Sequence, residues 1–251
     1  MSTSRSEFAG ALRHWRTHRR VSQFELAMRA DTTQRHVSFL ENGRSAPGRE
    51  IVVRLAQSLG LSLRERNGLL TAAGYAPLYA ESVLDAPALR PVRDALRGII
   101  DGHLPYPAII VRPYGELVAA NAALDVLTDG VAPELLAPPI NMFRVALHPQ
   151  GMARRVVNIA DWGRHVTEGL RAHMARSPDA RLDELVQELD GYLDDVGPSA
   201  SPLGFAVPLR LASGDGELQL LTTLTSFATA VDITLAELHL EAFLPADEAT
   251  T

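Results

Sequence analysis

The stretch Ser22–Arg44, SQFELAMRADTTQRHVSFLENGR, leaves few options for the fold built around it. Ser22 is an N-cap type, and Glu25 three residues later completes the pattern of a capping box. Phe24, Ala27 and Met28 recur at helical spacing, with Leu26 beside them. Asp31 and Thr32 interrupt the pattern. Thr33 can cap a second helix, whose apolar side carries Val37 and Leu40. Asn42-Gly43 stops it, because both residues tolerate the left-handed conformation of a helix end. Two helices of about two turns each bury too little surface to stand alone, so the chain has to supply helical neighbours.

Those neighbours are legible on both sides. Glu7–Arg19 places Phe8, Ala11, Leu12 and Trp15 on one face. Glu50–Gly60 offers Ile51, Leu55 and Leu59. Ser62 caps a fifth segment with Leu63, Leu69 and Leu70, ending near Gly74. The spacing predicts five short helices around one small core. On the outer face of the second helix of the pair stand Gln34, Arg35 and His36, then Ser38 and Phe39, with Arg44 just past its end. Glutamine pairs bidentately with adenine, arginine with guanine, and an apolar group meets the thymine methyl. In a helix-turn-helix these N-terminal positions face the base edges. The same strip also fits the solvated side of an ordinary helical hairpin, and residue types alone leave both readings open.

The motif Ser22-Gln23-Phe24-Glu25-Leu26-Ala27, then Thr33-Gln34, then Leu40-Glu41-Asn42-Gly43-Arg44 with Pro47 following, resembles the helix-turn-helix of the lambdoid repressor and Cro (XRE) family over about residues 7–74. The resemblance implies that Gln34 and Arg35 read bases on a face shared with His36, and that Phe39 meets a thymine methyl. It implies that Gln23, Ser38 and the backbone near Asn42–Arg44 hold phosphates. It further implies that Arg16 pairs with Glu41 as a structural brace. The expected partner is double-stranded operator DNA, bound by a homodimer because one reading head covers only a half-site.

Charge divides the chain in the same place. Residues 1–76 hold 12 arginines against 6 acidic residues, +6, and residues 77–251 hold 12 against 24, −12. A basic head suits phosphate; an acidic body disfavours nucleic acid or an anionic membrane. There is no cysteine, which excludes disulfides and thiolate chemistry, and no lysine, which excludes Schiff bases and a P-loop lysine. No apolar run approaches the ~20 residues that cross a bilayer. The opening residues lack an apolar signal core, so the expected location is the cytoplasm.

Tyr75–Pro91 contains three prolines and little periodicity, which marks a boundary. The expected organisation is a DNA-binding domain at 1–76, a linker and connecting helix at 77–103 with a Leu89, Val92, Leu96, Ile99/Ile100 stripe, and a second domain at 104–247. There, Ala108–Val111 and Glu116–Ala119 read as strands of a hairpin around Pro113-Tyr-Gly115, and Asn121 reads as the cap of a helix over 122–127. Helices are expected over 141–147, 153–176 and 181–193. Alternation at Phe205, Val207, Leu209 and Leu211, a hairpin loop at Ser213–Gly216 into 217–227, and a last strand at 233–244 complete the pattern. The fold class that follows is multi-domain: an all-α repressor-like head and an α+β body with an antiparallel sheet and helices on one face.

The second half resembles the MmyB-like, PAS-like ligand-binding domain. The likeness is carried by Pro107–Val111, Glu116–Leu127, Asn141-Met-Phe-Arg144, Asp161-Trp162, Leu170-Arg171 and Phe243–Asp247. It implies a sensor with a pocket between sheet and helices, fatty-acid-like molecules being among the ligands of such domains. A pocket of this kind needs apolar walls and one or two polar anchors. Arg144 and Asn141 suit a carboxylate head, and Phe143, Trp162 and Met174 suit walls. The plainer account pairs Arg144 with a surface acid and puts Trp162 in the core. No cofactor or metal is expected: His14/His18 and His165/His173 have no carboxylate at ligand spacing. No catalytic motif is present, so an enzyme is not expected. The rival to a sensor is a DNA-binding regulator whose second domain docks another protein and takes no small molecule.

Overall fold

The computed structural model describes residues 2–194, 196–197, 206–214, 216–227 and 230–250, the side chains of residues 2–4 and 249 excepted. Phe205 and Asp215, named above in a strand and a hairpin loop, lie outside the described residues. The chain forms two compact units, one of residues 1–83 with 229–236 and one of residues 84–228 with 237–251.

The first unit carries the expected helices: α1 (Ser2–His18), α2 (Gln23–Arg29), α3 (Gln34–Glu41), α4 (Arg49–Ser58) and α5 (Leu63–Ala72). Phe8, Leu12, Leu26, Val37, Leu40 and Leu55 meet in its core. The inward face of α2 differs from the sequence reading. Leu26 and Ala27 are buried, whereas Phe24 and Met28 are largely exposed. At ~100° per residue, positions 24 and 28 lie about a third of a turn away from 26 and 27, and a seven-residue helix offers the core only one narrow stripe. The capping box is also half made. Ser22 Oγ accepts from the Glu25 amide at 3.0 Å, but the Glu25 carboxylate turns to Arg29. The reciprocal box forms instead at Ser62 and Glu65, opening α5.

This unit runs past residue 76. The Asn67 side chain accepts from the amides of Leu78 and Tyr79 and donates to the Tyr79 carbonyl. Residues 230–236 belong here too, although 233–236 were expected in the final strand. The Ile233 amide donates to the Ala80 carbonyl at 2.8 Å, and the Thr234 hydroxyl donates to Ser82 O at 2.7 Å. Asp232 accepts from the amides of Ser82 and Thr234, opening a one-turn helix, α11 (Ile233–Ala236), with Ile233 buried.

The second unit is built on a five-stranded antiparallel sheet: β1 (Ala108–Val111), β2 (Leu117–Ala120), β3 (Leu209–Ser213), β4 (Gly216–Ser226) and β5 (His239–Pro245), in the order β2-β1-β5-β4-β3. Its helices are α6 (Arg90–Asp101), α7 (Leu124–Thr128), α8 (Met142–Leu147), α9 (Ile159–Met174) and α10 (Ala180–Gly191). One sheet face presents Ile109, Val111, Leu209, Leu211, Leu220 and Phe243 to Val145, Leu147, Trp162, Leu185 and Leu189 of α8–α10. The other face is buried as well at Ala108, Ile110, Leu240 and Ala242, and α6 is the helix beside β1 and β2. On α6 it is Leu96 and Ile100 that turn inward, while Ile99 is exposed.

Two local expectations change. Asn121 does not cap a helix. Buried, it donates to the carbonyls of Ile100 and Tyr106 and accepts from the Ala108 amide, tying α6, the chain before β1 and β1 itself. The long helix starts at Ile159 instead of 153, because Val156 first bridges to Leu211 at the sheet edge.

Candidate nucleic-acid interface and ligand-binding domain

The reading helix is positioned from inside. Val37, Leu40 and Glu41 of α3 are buried, which turns the opposite side outward. Thr33 Oγ1 accepts from the His36 amide at 3.1 Å and fixes the first turn. Gln34 and Arg35 are exposed there, and the Arg35 guanidinium lies 5.1 Å from the ring centre of Phe39. That contact brings Gln34, Arg35 and Phe39 to one strip. His36 is turned aside, its Nδ1 3.0 Å from Thr32 Oγ1. Arg44 is exposed beyond Gly43, whose φ of +65° permits the turn off α3.

Glu41 anchors this arrangement. Its carboxylate accepts from Arg16 Nε at 2.6 Å and Nη2 at 3.0 Å, the pairing expected from the sequence, and from Gln23 Nε2 at 2.7 Å. Arg13 donates to the Glu41 carbonyl and to Asn42 Oδ1, while Asn42 Nδ2 donates to the Ser38 carbonyl. Gln23 is thereby fixed at the start of α2 and Asn42 at the end of α3, with Ser38 one turn before Asn42.

The residues named as ligand contacts are not gathered in one place. Arg144 is exposed and makes a bidentate pair with Glu188 (2.7 and 2.7 Å), which raises the arginine pKa further and lowers that of the glutamate. Tyr192 donates to the same carboxylate; burial and that bond push its pKa up to about 12. Asn141 caps α8 through the amides of Phe143 and Arg144 and donates to the Tyr114 carbonyl. Phe143 closes over Gly115, where a Cβ would sit 2.4 Å from its ring. Trp162 is buried in the core, and Met174 is half-buried at its edge.

Two groups that sequence reasoning passed over lie on β5. His239 and Glu241 stand opposite Val111 and Ile109 in the register with β1, so they share the core-facing side of the sheet with Phe243. Burial alone raises the Glu241 pKa to about 7. Burial, and then the nearby His173, lower that of His239. The sequence signal was faint: Leu238, Leu240 and Ala242 alternate with Glu237, His239 and Glu241, and the alternation does not say which set meets the core.

A helical head with an outward-facing α3, followed by a separate α+β body, defines a DNA-binding transcriptional regulator. Residues 7–69 match the family model of a helix-turn-helix domain, and residues 92–251 that of the MmyB-like transcription regulator ligand binding domain. The chain belongs to this MmyB-like family. Two crystal structures of the clp gene regulator ClgR from Corynebacterium glutamicum are similar to it. One is 28% identical and covers 28% of this chain and 88% of its own, at a TM-score of 0.26. The other is 24% identical over 41% of this chain and 95% of its own, also at 0.26. No curated protein matches.

Proposed function

We propose that the protein is a bacterial repressor that binds operator DNA as a homodimer, with operator affinity set by a small apolar or fatty-acid-like molecule held in the second unit. The observation that carries this reading is the exposed Gln34–Arg35–Phe39 strip on a helix whose other side is locked by Val37, Leu40 and Glu41. In the proposed complex Gln34 and Arg35 meet base edges, Phe39 meets a thymine methyl, and His36 stands beside them. Gln23, Ser38, Asn42 and Arg44 approach phosphates. In the second unit Met174 and Phe143 offer apolar surface, whereas Arg144 and Asn141 have committed their polar groups to Glu188 and to the first turn of α8.

A ligand alters operator affinity only by binding two conformations unequally. Two chain connections are available to carry such a difference. One is the segment from residue 77 to 103. The other is residues 230–236, which leave the sheet after β4, bond to residues 80–82 of the helical unit and return as β5. Selection from a randomised duplex pool tests the reading. Arg35→Ala and Gln34→Ala should each cost roughly 1–3 kcal/mol and relax preference at one base position, whereas Gln23→Ala should weaken all sequences alike. Uniform weakening by the first two variants would contradict base reading.

A further inference from the structure

His239, Glu241 and Phe243 occupy successive core-facing positions on β5. Phe243 is plain core. Glu241 lies between Ile109 on β1 and Leu224 on β4, and His239 between Val111 and Ser226. A carboxyl flanked by isoleucine and leucine is costly to bury unless something pairs with it. Among the described residues Glu241 has no hydrogen-bond or ion-pair partner, and the buried His239 Nδ1 has none either. The charged groups acting on His239 are His173, from the last turn of α9, and Glu237, just before β5; among the described residues no arginine acts on His239 or Glu241.

The sheet face around them is covered only in part. Leu218 and Leu220 of β4 lie under the helices, but Thr222, Leu224 and Ser226, further along the same face, are exposed. On the helix side, Leu170 and Met174 are half-buried against the core edge, on the same side of α9 as His173. Native structures leave few buried polar groups unpaired; a buried ring nitrogen without a partner, beside an unpaired carboxyl at the open end of a core, marks a place where something else supplies the partner.

We propose that this end of the sheet binds an amphipathic molecule through a protonated amine, the ammonium donating to the Glu241 carboxylate and to His239 Nδ1 while its chain lies along Leu224 and the Leu170–Met174 side of α9. An ammonium brings several donors and the opposite charge, which satisfies both groups at once. A carboxylate head brings acceptors only and would meet Glu241 as a like charge. The raised pKa of Glu241 and the lowered pKa of His239 agree: near neutrality the first gains from a cation, and the second is a neutral ring able to accept. The inference rests on the ligand-binding role proposed for this unit and narrows the head group away from a fatty acid.

Calorimetric titration of the full chain at pH 7.5 with octylamine and with octanoate tests it. Octylamine should bind saturably at one site and at least about tenfold more tightly than octanoate, and Glu241→Gln, which keeps the shape and removes the charge, should erase that preference. Octanoate binding as tightly as octylamine, or a preference that survives Glu241→Gln, would overturn the amine site while leaving a ligand-binding domain in place. Saturable binding of neither probe would overturn both.

Discussion

Glu41 and Glu241 are carboxylates drawn into apolar surroundings, one in each unit, and the chain treats them in opposite ways. Glu41 accepts from Arg16 twice and from Gln23, and its carbonyl accepts from Arg13. Glu241 receives no bond from any described residue. A buried charge with its partners in place fixes geometry, here the angle between α1, α2 and the reading helix. A buried charge without them costs stability and is kept where a ligand or a proton can answer it. The helical head is a finished rigid object; the sheet of the second unit is finished except at one end.

The largest expected effect breaks the satisfied member. Glu41→Ala strands the Arg16 guanidinium and the Gln23 amide, and should destabilise the helical unit by roughly 3 kcal/mol in urea unfolding, the low end for breaking a buried pair because Arg16 keeps some solvent. A loss under about 0.5 kcal/mol would reduce the brace to an ordinary surface pair.

The next effect belongs to the unsatisfied member, and its sign follows from the direction of its shift. The folded-state pKa of Glu241, about 7, lies above its ordinary value of 4.5. The native state therefore holds a proton that the unfolded chain releases between those pH values. Stability should fall as pH rises through that window, by on the order of 2 kcal/mol between pH 5 and 8, less than the full shift implies because the side chain keeps some exposure. Glu241→Gln should flatten this slope, which denaturant melts at the two pH values would show. An unchanged slope would mean that another group titrates.

A smaller change tests the second chain connection. Asp232→Ala removes the acceptor of the Ser82 and Thr234 amides and should cost about 1 kcal/mol. It should also loosen residues 80–82, read as faster amide exchange there; unchanged exchange would remove that segment from the coupling route. Smallest of all is Arg144→Ala. Its pair with Glu188 is exposed, so the expected cost is below about 1 kcal/mol. Octylamine affinity should not change, and a large loss would restore Arg144 as a ligand contact.

The helical head was legible because its signals are local. Ser22, Thr33, Ser62 and Gly43 each act within a turn of their own position, and the Arg16–Glu41 brace followed from the family pattern. What escaped depended on facing. Phe24 and Met28 kept helical spacing yet point outward, since spacing does not say which of two stripes meets the core. Asn121 sits where a cap would, but its bonds run to segments that no local pattern brings near. In β5 the alternation is plain in the sequence, but it does not say which set meets the core. Leu240 and Ala242 face away from α8–α10 and are still buried, so the polar set had to turn toward the core. Residues 233–236 were read as strand because nothing in Asp232-Ile-Thr announces a partner some 150 positions earlier.

Through its ligand, the unpaired carboxylate of the second unit should govern how tightly the helical unit holds DNA. Affinity for a selected duplex, measured with and without saturating octylamine on wild type and Glu241→Gln, asks this directly. Octylamine should weaken wild-type binding by about fivefold or more, as typical coupling energies allow, and leave the variant unmoved. Equal wild-type affinities with and without the amine, or the same weakening in both proteins, would contradict it.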